Sequence, residues 1–296
     1  MYRFYKVVLF LGFLLLGNVS FAQKKKFDTQ AHRGGRGLMP ENTIPAMLDA
    51  IDRGISTLEL DLQLSKDLKV VVSHDPYFNA NFVTTPAGDT LTKDAGKKNI
   101  LYQLNYDSIA KYDVGQKVNP EFPQQKKMKV HKPLLSDLLN ATEAYSKKKR
   151  TTIHYNIEIK SAPGNDGKYY PNLEAFVDLA MDVINKKKIS KRVIIQSFDT
   201  RALQMMHKKY PSYALSYLIL AKEKRPIAEL IKVLGFVPDV LSPQYNMVTG
   251  TMVKECHQQG IKIVPWTVNE LKDIQSLKAM GVDGIISDYT DLFSQL

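Results

Sequence analysis

Short apolar runs alternate with helix-patterned segments along most of this chain, and that alternation leaves few folds open. Nine runs read as strands, at 29–33, 57–64, 69–74, 153–160, 192–198, 214–220, 239–244, 262–268 and 284–287. Several are nearly unbroken, as in Val193-Ile194-Ile195, which suits parallel strands covered on both faces. Patterns of helical period occupy 43–53, 136–147, 172–187, 200–209, 226–234, 249–259 and 270–280. Gly54, Gly235, Gly260 and Gly281 close four of them, at the position where helices commonly end in a left-handed residue. Repeated strand–helix units in a chain this long predict an α/β protein, a (β/α)8 TIM barrel.

A barrel needs eight strands, one fewer than the candidates. Only residues 65–68 join the second candidate to the third, and a parallel crossover takes a dozen or more. A bent strand or a hairpin is therefore expected there, with one piece outside the barrel. From 75 to 133 the rhythm lapses in a stretch rich in Lys, Asn, Pro, Tyr and Gly. So long a run without elements of its own is uncommon in a compact domain. A small inserted subdomain after the third strand candidate is predicted, with a short helix near 106–112.

The N-terminus reads as a secretory signal peptide over 1–22. Arg3 and Lys6 precede an apolar run at 7–16, and Ser20 and Ala22 offer small residues for cleavage. The run is shorter than the roughly 20 residues of a membrane span. The expectation is an exported protein, periplasmic or secreted, with one barrel domain over 23–296 and no stable membrane insertion after cleavage. Cys256 is the single cysteine, so no internal disulfide supports the core, and its helical context reads as packing. The formal charge is +11. Its basic runs at 24–26, 126–127, 147–150, 186–188 and 208–209 mostly end helical segments, where cations suit the helix dipole. They lack the interleaved aromatics of a nucleic-acid surface, and no nucleic-acid partner is predicted. The excess charge can help draw in anionic substrates.

Polar residues gather at the ends of the early strands. The first ends in His32-Arg33-Gly34, the second carries Glu59 and Asp61, the third ends in His74-Asp75, and the fourth carries Glu158 and Lys160. Residues i and i+2 of a strand share a face, and barrel strands deliver such residues to one mouth. Three carboxylates there call for a cation, and an all-oxygen set suits a hard divalent ion, Ca2+ or Mg2+. Two imidazoles are then free to move protons. Arg33 and Lys160 can hold a phosphate, although Arg33 can also simply pair with Glu41. The combination suits phosphodiester chemistry.

The motifs His32-Arg33-Gly34, Pro40-Glu41-Asn42-Thr43, Leu58-Glu59-Leu60-Asp61 and Val71-Val72-Ser73-His74-Asp75 resemble the opening of the glycerophosphodiester phosphodiesterase family. The resemblance continues through Asn156-Ile157-Glu158-Ile159-Lys160, Gln196-Ser197-Phe198, Pro265-Trp266-Thr267-Val268-Asn269 and the end of the chain from Gly281 to Asp288. It implies a barrel and one divalent cation, Ca2+ or Mg2+, on Glu59, Asp61 and Glu158. His32 and His74 would be the acid/base pair. Arg33 and Lys160 would hold the phosphate, Glu41 would touch substrate or Arg33, and Trp266 would line the mouth. The implied reaction releases sn-glycerol 3-phosphate and an alcohol from a small glycerophosphodiester.

Two departures are small. Asp67-Leu68 stands where the family often has Asp-Gly, and Ser287-Asp288 where it often has Thr-Asp; neither is expected to touch a catalytic group. Three other functions stay open at this stage. They are a barrel phospholipase C or D meeting intact lipid through Tyr77, Phe78, Phe82 and Phe122, a non-catalytic binder on the same scaffold, and an enzyme of glycerophosphate polymers. The headgroup is open as well, and Tyr77, Tyr245 and Trp266 are candidates to cradle a quaternary ammonium. Oligomeric state is left unread.

Overall fold

A computed structural model describes residues 27–296. The signal-peptide reading of 1–22 and the basic run at 24–26 lie outside the described residues. In chain order the elements are β1 (Asp28–Ala31), α1 (Ile44–Asp52), β2 (Thr57–Leu64), β3 (Val70–Val72), α2 (Lys93–Lys98), α3 (Tyr106–Ile109), α4 (Leu135–Lys149) and β4 (His154–Ile159). They continue with α5 (Leu173–Asn185), β5 (Val193–Ser197), α6 (Thr200–Lys209), β6 (Ala214–Ile219), α7 (Ile227–Leu234), β7 (Val240–Pro243), α8 (Gly250–Gln258), β8 (Lys262–Ile263), α9 (Leu271–Met280) and β9 (Gly284–Ser287).

Eight strands run parallel in the order β8-β7-β6-β5-β4-β2-β1-β9. Bonds from Asp283 N to Ile263 O (2.9 Å) and Ile286 N to Pro265 O (3.0 Å) bring the two ends of this order together. The result is a nearly closed (β/α)8 barrel. The surplus ninth candidate is β3. It pairs antiparallel with β2, Leu62 opposite Val72, and stands off the barrel path. The tight link has Leu68 at φ 57, a left-handed position that glycine fills at no steric cost.

Two predicted strands are shorter than their apolar runs. The first stops at Ala31 because His32, Arg33 and Gly34 turn sharply, with Arg33 at φ 51. The eighth spans only two residues; Pro265 follows it and lacks the N–H that a ladder needs.

β2 shows how the pattern positions the site. Leu58, Leu60, Leu62 and Leu64 alternate with Thr57, Glu59, Asp61 and Gln63, and all eight are buried. The leucines join the main hydrophobic core, each contributing roughly 2 kcal/mol of transfer free energy. The polar set faces the barrel interior. Helices begin under side-chain caps: Thr43 accepts from Ala46 N, Asn172 from Ala175 N and Thr249 from Met252 N. Such caps satisfy otherwise orphaned N–H groups.

Residues 75–133 carry α2 and α3 and build a second hydrophobic cluster around Phe78, Phe82, Val83 and Leu101. Phe78, Phe82 and Phe122 are all buried, so they present no apolar rim to a membrane. Among the described residues no helix is long and apolar enough to cross one. Cys256 is fully buried, and burial pushes its thiol up to about 12.

Candidate active site at the barrel mouth

Strand register assembles the carboxylates. Asp61 on β2 pairs with Glu158 on β4, and Glu59 pairs with Asn156. Alternation turns all of them inward, and ligand oxygens of Glu59, Asp61 and Glu158 lie within 4.8 Å of one another. All three residues are buried. A layer of amides beneath them fixes Glu59: Asn156 Nδ2 donates to Gln30 Oε1 and Gln196 Oε1, and Gln196 Nε2 donates to Glu59 Oε1 at 2.7 Å. Arg33 N donates to Glu59 Oε2 at 2.7 Å. Asn42 Nδ2 donates to Asp61 Oδ2 at 2.8 Å.

The set fits a divalent cation. Its donors are all oxygen, and the buried Asp61 Oδ1 has no hydrogen-bond partner. Burial raises the Glu59 carboxyl well above its usual range, and Asp61 adds to the rise. Burial also lifts Glu158 to about 7, against the opposing pull of Lys160. Carboxyls so crowded share protons unless a positive ion replaces them. Glu59, Asp61 and Glu158 are the residues that would hold it.

Two cations border the triad. Lys160 Nζ lies 3.1 Å from Glu158 Oε1. Arg33 Nη1 donates to both oxygens of Glu41, at 3.2 and 3.1 Å. Glu41 thus makes one of the two contacts named for it, the one to Arg33. Burial acts to lower Arg33, but Glu41, Asp61 and Glu59 outweigh it and keep the group charged. Arg33 Nε has no hydrogen-bond partner, although it lies 3.4 Å from Asp61 Oδ2.

Each histidine is held by an aspartate. His32 Nδ1 lies 2.5 Å from Asp288 Oδ1, and His74 Nδ1 lies 2.9 Å from Asp75 Oδ1. Burial lowers His32 to about 4, with Asp288 opposing. Asp75 is held down at about 2; burial raises it, but the His74 hydrogen bond and charge prevail.

A cavity of about 110 Å3 joins these groups. His32, Arg33, Glu59, His74, Glu158, Lys160 and Trp266 line it, while Asp61 and Glu41 lie beneath its wall. Trp266 meets Phe198 edge-on at 5.4 Å and donates from Nε1 to Ser242 O. Tyr77 and Tyr245 are not among the lining residues, so of the three aromatics named for a headgroup only Trp266 reaches the cavity. Sequence reasoning missed Asn42, Gln196, Phe198 and Arg36, which touch the cavity or its carboxylates, and Asp288, which holds the cavity residues His32 and Arg36. The dipeptide Ser287-Asp288 was expected to touch no catalytic group; instead Asp288 binds the His32 ring. Four of the five sit inside the motifs Pro40-Glu41-Asn42-Thr43, Gln196-Ser197-Phe198 and Ser287-Asp288, which was the available signal.

Fold and site together define a barrel phosphoric diester hydrolase. The model of the glycerophosphoryl diester phosphodiesterase family matches residues 32–292, and the chain belongs to that family. A glycerophosphodiester phosphodiesterase of Bacillus altitudinis is 29% identical over 263 residues, covering 88% of this chain and 94% of that one. A Silicibacter pomeroyi protein solved under the family's name superposes with a TM-score of 0.83 at 25% identity, over 92% of this chain and 93% of that chain. An Oleispira antarctica phosphodiesterase, solved with its product sn-glycerol 3-phosphate, shares the fold at a TM-score of 0.69 and 22% identity, over 90% and 95%.

Proposed function

We propose that this protein hydrolyses small glycerophosphodiesters to sn-glycerol 3-phosphate and an alcohol in a metal-dependent reaction with histidine acid/base catalysis. One observation carries the reading: two aspartate-held histidines, Glu59 and Glu158 of the carboxylate triad, and the cations Arg33, Arg36 and Lys160 line a single cavity. One divalent cation, Ca2+ or Mg2+, on Glu59, Asp61 and Glu158 supplies Lewis-acid polarisation of a phosphoryl oxygen when bound.

Arg33 and Lys160 counter the charge of the phosphate. Arg33 is suited to this by its Nε, which makes no hydrogen bond. His32, kept neutral by burial, has Nδ1 committed to Asp288 and offers Nε2 as the base. It takes the proton of the attacking hydroxyl, from water or from the glycerol 2-hydroxyl. The new P–O bond forms in line as the bond to the leaving alcohol breaks. His74 gives its proton to that leaving oxygen, and Asp75 steadies the ring. If the 2-hydroxyl attacks, water then opens the cyclic phosphate with the two histidines in reversed roles. Trp266 and Phe198 wall the cavity beside the phosphate. We also propose export, on the charged and apolar pattern of residues 1–22.

The test incubates purified protein with glycerophosphocholine and glycerophosphoethanolamine, with Ca2+, with Mg2+ and with EDTA, and quantifies glycerol 3-phosphate. Release with an ion and none with EDTA supports the reading, and His32→Ala and His74→Ala should each lose nearly all turnover. A wild-type rate in either variant ends the histidine assignment; release undiminished by EDTA ends the metal assignment.

A further inference from the structure

The face opposite the mouth carries three closely spaced basic runs, at 147–150, 186–192 and 208–209. Strands start there and helices end there, so each helix-to-strand turn lies on that rim. Three of these turns are neighbours, because β4, β5 and β6 are adjacent in the sheet. They are tied to one another: Arg192 Nη2 pairs with Glu143 Oε2 at 2.6 Å, and Lys209 Nζ with Asp178 Oδ1 at 2.6 Å. No Asp or Glu occurs in 144–157, 183–198 or 200–222.

The exposed cations of this rim include Lys148 in the last turn of α4 and Arg150 after it, Lys186, Lys188 and Lys191 after α5, and Lys208 on α6. None of these six has an ion-pair partner among the described residues. The helix dipole alone does not explain them. It acts on the last turn of every helix, yet α7, α8 and α9 end with a single Lys, His and Lys. Lys188 and Lys191 lie beyond the last turn of α5. Arg150 and Lys188 also adopt left-handed φ of 54 and 56, where glycine is sterically favoured; α7 has Gly235 at the C-terminal position that Arg150 holds in α4. A cation stands at both positions despite that preference.

We propose that this rim is a docking surface for an anionic phospholipid bilayer. Charge complementarity argues for it, since each Lys or Arg brought to such a surface gains attraction from the negative leaflet. The rim's exposed cations are mainly lysines without exposed Phe, Trp or Tyr among them, which fits a charged lipid surface better than a nucleic-acid strand. The exposed large apolar residues, Leu68, Val118, Leu220, Val233, Val237, Met280 and Leu296, lie outside these three turns. Binding is therefore peripheral and electrostatic, and salt reverses it. Docked this way, the mouth faces away from the lipid, open to a substrate dissolved in water.

Co-sedimentation of purified protein with vesicles tests this. One set contains phosphatidylglycerol and phosphatidylcholine, the other phosphatidylcholine alone. Binding to the anionic set only, released in 0.5 M salt (about a 4 Å screening length by interpolation), is expected. A lysine near such a membrane contributes about fivefold in partitioning. The variant Lys148→Glu, Lys186→Glu, Lys188→Glu, Lys208→Glu should bind at least a hundredfold more weakly while keeping its turnover of glycerophosphocholine. Equal binding to both vesicle sets, or salt-insensitive binding, overturns the proposal even without the variant. Retention of a soluble polyanion such as polyphosphate with no vesicle binding overturns it too, in favour of a polymer.

Discussion

His32 Nδ1 and Asp288 Oδ1 stand 2.5 Å apart although 256 residues separate them in the chain. The same carboxylate accepts from Arg36 Nε and Asn269 Nδ2, both at 2.8 Å. Burial alone would raise Asp288, but His32 and Arg36 hold it well below the usual carboxylate range. A charged acceptor at Nδ1 fixes the ring's orientation and leaves Nε2 for the cavity. Asp288→Asn keeps the volume and removes the charge. A loss of about 10^3-fold in kcat, with KM changed only a few-fold, is expected from steady-state kinetics. Unchanged kcat would remove this pair from the reaction.

The same burial makes His32 a source of acid lability. Its folded-state value is about 4 against 6.5 for the free side chain. Between those values the unfolded chain takes up a proton that the folded chain refuses. The contribution to stability is therefore complete above 6.5 and lost as pH falls through 4, about 3 kcal/mol in all. Urea melts of wild type and His32→Gln at pH 7 and pH 4 should show the wild type losing more stability across the interval. Parallel losses would contradict it.

Strand and helix positions were legible because strands covered on both faces leave unbroken apolar runs, as at Val193, Ile194 and Ile195. The carboxylates were legible for a related reason: Glu59 and Asp61 interrupt the leucines of β2 at the two-residue period. Pairing was not legible. Nothing local in the sequence says that Asp61 lies beside Glu158, because register is a tertiary choice. Asp288 escaped for the same reason, since its partner lies at the other end of the chain. Arg33 misled in another way. A bulky residue at positive φ is uncommon, so the first strand was carried two residues too far. Pro265 was visible, and its missing N–H should have shortened the eighth strand.

That turn makes a prediction of its own. Gly34 has φ +82, and a Cβ there would come 2.8 Å from the Ala46 Cβ. Gly34→Ala meets a disfavoured backbone conformation and a clash with α1 together, a cost of about 1–3 kcal/mol. Relief requires moving the turn that carries His32 and Arg33. A lower Tm and a reduced kcat are both expected, measured by thermal melts and steady-state rates. A variant with wild-type Tm and kcat would show that the turn yields without strain.

The triad links metal, protons and stability. In the metal-free protein Glu158 is raised from 4.5 to about 7 by burial, with Lys160 opposing and Asp61 adding; Glu59 is raised as well. A carboxyl raised on folding favours the folded state fully below its unfolded value, and that support is lost as pH rises through the folded value. Without an ion, Glu158 therefore weakens the fold as pH rises from about 4.5 through 7, and Glu59 acts in the same direction. A divalent ion needs its ligands ionised, so at pH 5 it must displace the proton of Glu158 and at pH 8 it need not. The rise in Tm on adding saturating Ca2+ or Mg2+ should be larger at pH 8 than at pH 5, and binding at pH 5 should release protons in calorimetry run in buffers of different ionisation heat. Glu158→Gln, which cannot ionise, should bind the ion weakly at both pH values and flatten the difference. Equal Tm shifts at pH 5 and pH 8 in the unaltered protein would mean that the three carboxyls are not the ligands.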